Sequence, residues 1–298
     1  MYFTYFFCYT YARRIINNSA NNIAVYMSKL ILSIFIGLVS LFILTRVEAA
    51  VINVPQDYKT IRDAVENANP QDTIIVDEGE YKENIVITKP IVIRASKGPD
   101  VTIVHALIQG EPVFKIKNTN EASIIGFTAS DSLSSGIYLY NAHNGQVLNN
   151  KTVNNHIGIT LYSSNNNIIK DNIANSNEYY GIYLESSHNN LLEKNIANSN
   201  KDKGIFLSLS SSNNLNNNSA NLNTWNGIIL WSSHKNTLKD NKIFRNTYGI
   251  VTSDSDNNDM INNSTWPNIY IILPVILIYI GILLYLIQKN LFRFVYKG

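Results

Sequence analysis

The sequence predicts an all-β chain wound as a parallel β-helix solenoid, with a capping helix at its N-terminal end and a transmembrane helix at its C-terminal end. Three observations carry that expectation. A Gly-Ile pair recurs six times at nearly constant spacing, asparagine columns run in phase with it, and an uncharged apolar stretch lies near the C-terminus.

Gly136, Gly158, Gly181, Gly204, Gly227 and Gly249 are separated by steps of 22 or 23 residues, and each is followed by isoleucine. Two residues after the isoleucine stand Leu139, Leu161, Leu184, Leu207 and Leu230, with Thr252 in the sixth copy. Apolar, variable, apolar is the period-2 signature of a strand with one buried face. Eleven residues after each glycine comes a second apolar position: Val147, Ile169, Leu192, Leu215, Leu238 and Met260. A leucine-rich repeat would need an LxxLxL core and a helical or extended return. Here the intervening segments are rich in Ser, Asn, Lys and Asp and too short for a helix. Three short strands and three turns per coil fit the period, so the coils stack at the strand spacing of about 4.8 Å. About nine coils are expected on that spacing.

The asparagines keep the same phase. Fourteen residues after each glycine stand Asn150, Asn172, Asn195, Asn218, Asn241 and Asn263. Nineteen after stand Asn155, Asn177, Asn200, Asn223 and Asn246, and nine after stand Asn167, Asn190, Asn213, Asn236 and Asn258, with Gly145 in the first copy. Stacked side-chain amides donate to one neighbour and accept from the other, and asparagine tolerates the left-handed backbone of tight turns. Disorder would not hold the isoleucines in phase.

Upstream, Thr73–Val76, Ile85–Ile87, Ile91–Ile93, Val101–Val104, Val113–Ile116 and Ile124–Thr128 are expected strands of less regular coils. Thr60–Asn69 is the expected cap. Thr60-Ile61-Arg62-Asp63 has the form of a capping box, Ile61, Ala64, Val65 and Ala68 follow at helical spacing, and Pro70 stops the run.

The ends place the solenoid outside the cytoplasm. Leu30–Leu44 is uncharged, preceded by Lys29 and followed by the small-residue pattern Val47-Glu48-Ala49. Residues 1–49 therefore read as a signal peptide, with Met27 as the expected true start; the alternative is an uncleaved anchor. The β-helix is expected over 50–265, a transmembrane helix over 266–288 and a basic cytoplasmic tail over 289–298. Ile269–Ile287 carries no charge over 19 residues, about 28 Å of helix. Lys289, Arg293 and Lys297 follow it and put the C-terminus in the cytoplasm. The net charge of +2 gives no nucleic-acid signal, and the single Cys8 lies in the leader, so no disulfide or thiolate chemistry is expected.

The stretch Val54-Pro55-Gln56-Asp57-Tyr58-Lys59-Thr60-Ile61, then Asp72-Thr73-Ile74-Ile75-Val76 and Gly79-Glu80-Tyr81-Lys82-Glu83-Asn84-Ile85, resembles the opening segment of right-handed β-helices of the pectin-lyase-like superfamily. With the Gly-Ile coils, the resemblance covers residues 51–264 and is closest to NosD-like, CASH-domain (PbH1 repeat) cell-surface proteins. Gln71-Asp72-Thr73 stands where those proteins usually have Gly-Asp-Thr. The resemblance implies the right-handed hand of the solenoid and, through NosD, copper handling. Its matching residues are cap, turns and core, so it says little of activity.

Catalytic chemistry is sparse. Polygalacturonase-type motifs are missing in their order, and Arg245 is the lone arginine of the repeat where a methylesterase-type site needs an arginine beside two aspartates. Asp171, Glu193 and Asp240 are flanked by Lys170, Lys194 and Lys239, which reads as a solvated, charge-balanced edge. A glycan lyase or hydrolase would have to use a non-standard set such as Asp171 or Glu185 with Asp202. His143, His188 and His234 share one offset but occupy alternate coils, about 9.6 Å apart along the axis, which makes joint metal ligation difficult. No cofactor is expected.

The outward positions of the Gly-Ile strand carry aromatic rings: Tyr138, Tyr183 and Phe206 two residues after the glycine, Tyr140, Tyr162 and Trp231 four after it. Rows of exposed rings bordered by Asn and Ser suit sugar faces; equally, aromatics favour strands and stack on one another. Trp231 is expected in one column with Tyr183 and Phe206, within roughly 10 Å of them. The expected function is thus a membrane-anchored surface protein that binds a glycan without cleaving it. The alternatives are the glycan lyase or hydrolase and a NosD-like accessory factor for copper-enzyme maturation. Glycosylation, where it occurs, is expected at Asn217 or Asn262, since Asn150 and Asn263 belong to an inward column.

Overall fold

A computed structural model of the chain describes residues 23, 25–36, 49–267 and 276–287. The chain divides into two units, Met1–Glu48 and Ala49–Gly298, the first described only as a helical segment at 25–36. The second holds a right-handed parallel β-helix.

Ten strands form one face, from Val51–Val54 to Asp259–Ile261, so ten coils stack there where about nine were expected. Eight strands, Ile85–Ile87 to Tyr248–Ser253, form the second face. Five strands, Gly79–Lys82 to Ile173–Ala174, form the third, which continues through single bridges at Ile196, Ser219 and Lys242. The Gly-Ile phase is the pairing register itself. Ile137, Ile159, Ile182, Ile205, Ile228 and Ile250 are successive parallel partners, and the first five are fully buried.

Ile124–Thr128, expected as one strand, is two: Ser123–Ile125 and Thr128–Ser130. Gly126 between them has φ +79°, a left-handed corner that carries the chain from one face to the next. The cap forms as Ile61–Asn67 with Ile61, Ala64 and Val65 buried against the first coils. Thr60 accepts from Asp63 N–H at 3.0 Å, while the carboxylate of Glu83 accepts from Ile61 N–H and Arg62 N–H at 3.1 and 2.9 Å. The orphan donors of the first turn are thus satisfied from within the helix and from the neighbouring coil.

Each inward asparagine spans coils. Asn172 Nδ2 donates back to Val147 O at 2.7 Å and forward to Asn195 Oδ1 at 3.0 Å, and Asn172 N–H donates to the same oxygen at 3.1 Å. The left-handed backbone does not fall on these asparagines. It falls one residue earlier, as at Asp171, Lys194, Asn217 and Asp240, and turns the following amide inward. Leu209 and Leu222 adopt it too, against their usual preference. A fourth ladder was not read from the sequence: Ser164, Ser187, Ser210 and Ser233 are each fully buried and each hydroxyl accepts a backbone N–H of the preceding coil at 3.0 Å.

The repeat glycines answer to close approach. A Cβ on Gly204 would sit 2.6 Å from Gly227 O, 2.7 Å from Asn223 Nδ2 and 2.8 Å from Ala220 Cβ. The glycine column and the last asparagine column are therefore one device: the amide ladder occupies the volume a side chain would need. Gly204→Ala is expected to lower stability by about 1–3 kcal/mol through overpacking. Gly249→Ala, where the nearest atom is Thr265 Cβ at 3.1 Å, should cost less. Urea unfolding of both variants checks this; equal losses would show that crowding by the ladder is not the cause.

Among the described residues no helix is long and apolar enough to cross a membrane. Residues 276–287 are helical, and the rest of the apolar stretch, like most of the leader, lies outside the described residues.

Candidate functional site

The second face positions the aromatic rings. Its strands are six residues long in the Gly-Ile coils, as in Ser135–Tyr140 and Tyr180–Glu185, so each offers several outward positions. Pairing places Tyr138, Thr160, Tyr183, Phe206 and Ile229 on one line. Tyr140, Tyr162, Glu185, Ser208 and Trp231 lie on another, two residues along the strand. Trp231 therefore does not share a column with Tyr183 and Phe206. It stands four residues after its glycine and they stand two, so the strand register separates them.

The two lines differ in character. Tyr183 and Phe206 stack with centroids 5.1 Å apart, and Tyr180 lies 5.3 Å from each. Lys203 Nζ covers the Tyr180 ring at 4.9 Å and the Phe206 ring at 5.5 Å while pairing with Asp202 at 2.7 Å. The Tyr183 hydroxyl donates to Glu185 at 2.6 Å. Burial, reinforced by that bond and by the Glu185 charge, pushes the Tyr183 phenol well above its ordinary range. This is an interlocked packing cluster. It also engages two of the three candidate carboxylates, Glu185 with Tyr183 and Asp202 with Lys203; Glu185 is the last residue of its strand, while Asp202 immediately precedes the first residue of the next. Asp171 is exposed at a turn off the ten-stranded face. The structure does not bring the three together.

The other line stays open. Tyr140, Tyr162 and Trp231 are 36%, 38% and 50% exposed. Tyr140 and Tyr162 stack nearly flat, 5.5 Å apart at 11°, with half-buried Tyr138 edge-on to Tyr140 at 6.1 Å. Glu185 and Ser208 fill the interval before Trp231. From Tyr140 to Trp231 is four strand steps, about 19 Å. The result is a shallow track with rings at both ends and short or polar side chains between.

The three histidines belong to a turn ladder. The Nδ1 atoms of His143, His188 and His234 accept backbone N–H groups of Asn165, Ser211 and Asp256 at 3.1, 3.1 and 3.0 Å. In return, Asn165 Oδ1 and Ser211 Oγ accept the backbone N–H groups of His188 and His234 at 2.7 and 3.0 Å. His, Asn, His, Ser, His thus alternate as coil-to-coil acceptors. Among the described residues no group of three His, Cys, Asp or Glu side chains is placed to hold a metal ion.

One cluster escaped the sequence analysis. On the third face, Lys82, His105 and Ser130 are register partners, and His105 Nδ1 lies 2.6 Å from Asp131 Oδ2. Ser130 Oγ lies 3.0 Å from the same ring nitrogen and 3.1 Å from the same carboxylate oxygen. The group borders a cleft of ≈ 480 Å³ with Glu80, Tyr81 and Gln109. Serine and carboxylate share one imidazole nitrogen, so the serine is not placed as a nucleophile on the far nitrogen of a triad. The signal available was a His and an Asp 26 residues apart, close to one coil, but in coils without the Gly-Ile marker. Of the glycosylation candidates, Asn217 and Asn262 are exposed, while Asn150 is 1% exposed.

A family model described as "Periplasmic copper-binding protein (NosD)" matches residues 65–270. No curated protein matches the chain. Among solved structures, pectate lyase Pel9A aligns at TM-score 0.55 and 14% identity over 72% of this chain and 79% of that one. The periplasmic alginate epimerase AlgG aligns at 0.51 and 19% over 72% and 68%. The A-module of Azotobacter vinelandii mannuronan C-5 epimerase AlgE6 aligns at 0.51 and 15% over 68% and 69%. At such identities the likeness is one of fold.

Proposed function

This chain belongs to the NosD family, and from that premise we propose that it is an extracytoplasmic β-helix, anchored at its C-terminus, that binds a surface glycan along Tyr140, Tyr162 and Trp231 without cleaving it. One observation carries the reading: of the six outward rings, these three alone remain open, on a single line down one sheet. Sugar C–H faces stack on such rings, and the half-buried carboxylate of Glu185 between them can meet hydroxyls. The anchor is the apolar run Ile269–Ile287, with the basic tail on the cytoplasmic side.

The test is a glycan-array screen of the purified protein followed by Trp231→Ala. Ring stacking contributes about 1–3 kcal/mol for a planar base and less for a sugar, so binding should weaken about tenfold, or ~1.4 kcal/mol. The melting temperature should hold within a few degrees. Phe206→Ala is the counterpart: it removes a ring from the packed cluster, so stability should fall more than affinity. Unchanged binding in Trp231→Ala, or unfolding, would sink the glycan track. New reducing or unsaturated ends on a polyuronide would instead favour the lyase or hydrolase reading.

A second reading follows from the family description, which names copper. The residues here do not fit that metal: the repeat histidines are one per alternate coil with Nδ1 engaged by backbone, and no third ligand joins any of them among the described residues. An accessory role in copper-enzyme maturation would then operate through protein contacts. A copper titration showing a tight site in the isolated chain, lost in His188→Ala, would reverse this.

A further inference from the structure

The two ends of the solenoid are built differently. At the N-terminal end the helix Ile61–Asn67 closes the core, and Ile74, Ile85 and Ile87 beneath it are fully buried. At the other end no described element covers the last coil. Its inward residues Ile250, Thr252, Met260 and Thr265 line an open hollow of ≈ 440 Å³. Met260 is 43% exposed where its register partner Leu238 is fully buried. Beside them, Ile261 is 42%, Tyr248 52% and Trp266 61% exposed. Among the described residues, the strands of this coil pair on one side only. The last described strand ends at Pro267, and the uncharged run begins at Ile269. Two residues of extended chain reach about 7 Å.

We propose that this open end is a membrane-docking surface: the last coil sits end-on in the interfacial layer of the bilayer, and lipid takes the place of a protein cap. The inference rests on the reading of 269–287 as membrane-spanning. With a tether this short, the end of the core cannot stand clear of the lipid. Trp266 and Tyr248 have the amphipathic ring chemistry that sits at headgroup depth, and Met260 and Ile261 supply apolar surface. The same coil carries Asp254, Asp256 and, beside Met260, Asp259, and no basic residue from Tyr248 to Pro267. An anionic leaflet would repel these carboxylates, so the surface fits a zwitterionic lipid face.

The three tryptophans of the chain, Trp225, Trp231 and Trp266, provide the probe. The full chain with Trp225→Phe and Trp231→Phe, in phosphatidylcholine nanodiscs, should have its Trp266 emission reduced by about half or more when the lipids carry bromine near the headgroup end of the acyl chain. A reporter with all three tryptophans replaced by Phe and Tyr162→Trp, several coils away, should be unaffected. Met260→Asp with Ile261→Asp should weaken the quenching of Trp266. Carbonate extraction separates the two ways of failing. If the chain stays with the membrane but Trp266 is not quenched, docking is wrong and the anchor stands. If the chain is extracted, the anchor reading fails and docking falls with it. A Trp266 shielded from both lipid and acrylamide, in a chain that sediments as a dimer, would mean that a second copy covers the end, which also overturns lipid docking.

Discussion

Ile182→Asp is expected to leave the β-helix without a cooperative unfolding transition. Ile182 lies in the middle of the stack, paired with Ile159 on one side and Ile205 on the other, and all three are fully buried. The substitution removes an isoleucine, about 2–5 kcal/mol by comparison with truncation to alanine. It also puts a carboxylate where nothing can pair with it, a further several kcal/mol. Together these approach the whole stability of an ordinary domain, roughly 5–15 kcal/mol. In a solenoid the damage should split the stack at this coil, because each coil contacts only its neighbours. Limited proteolysis is therefore expected to cut between residues 160 and 205 before any global loss is visible by circular dichroism. Ile182→Val, costing about 0.5–1.5 kcal/mol, is the control. A fully protected, normally melting Ile182→Asp would place this side chain in solvent, and the register would be off by one residue along the strand.

The repeat made the coil legible because the same phase was written six times. Gly, Ile, Leu and three asparagines recur at fixed offsets, and each offset proved to be an inward position or a close approach. What was not legible follows from how signals add. The serine ladder at Ser164, Ser187, Ser210 and Ser233 is as regular as the asparagine ladders, but its first member is Ala142 and serine is common throughout these turns. The left-handed residue before each ladder position has no composition signature: Asp171, Lys194, Asn217, Leu222 and Arg245 all adopt it, since the following amide dictates the corner. Among the aromatic rings, the offsets from the glycine, two for Tyr183 and Phe206 and four for Trp231, already define two lines, and the expectation of a single column ran across them; the strand pairing keeps the two lines apart. The His105, Ser130 and Asp131 cluster lay in the early coils, whose lengths vary and whose phase could not be counted.

Asn195→Ala tests the structural claim most particular to this chain, that buried amides join the coils. Asn195 is fully buried, and its side chain and backbone N–H take part in five hydrogen bonds. Its Oδ1 accepts from Asn172 N–H and Nδ2, its Nδ2 donates to Ile169 O and Asn218 Oδ1, and its backbone N–H donates to Asn218 Oδ1. Alanine keeps the last of these and removes the rest. The amide proton of Asn172, one of its Nδ2 protons and the carbonyl of Ile169 are then left in a dry interior. At about 1–3 kcal/mol for each unsatisfied buried group, and some relaxation, the expected loss is about 3–6 kcal/mol. Asn214→Ala, an exposed asparagine in the neighbouring coil, should change stability by no more than about 0.5 kcal/mol. Asn195→Asp separates shape from bonding: it keeps the acceptor but loses the donor to Ile169 O and buries a charge beside Asn218 Oδ1, so it should be at least as damaging at neutral pH. Urea denaturation of the three variants, followed by hydrogen exchange at the Asn172 amide, reads the effect directly. A small loss in Asn195→Ala with Asn172 still protected would mean that the apolar core alone sets the stacking and that the asparagine columns only fill the turns.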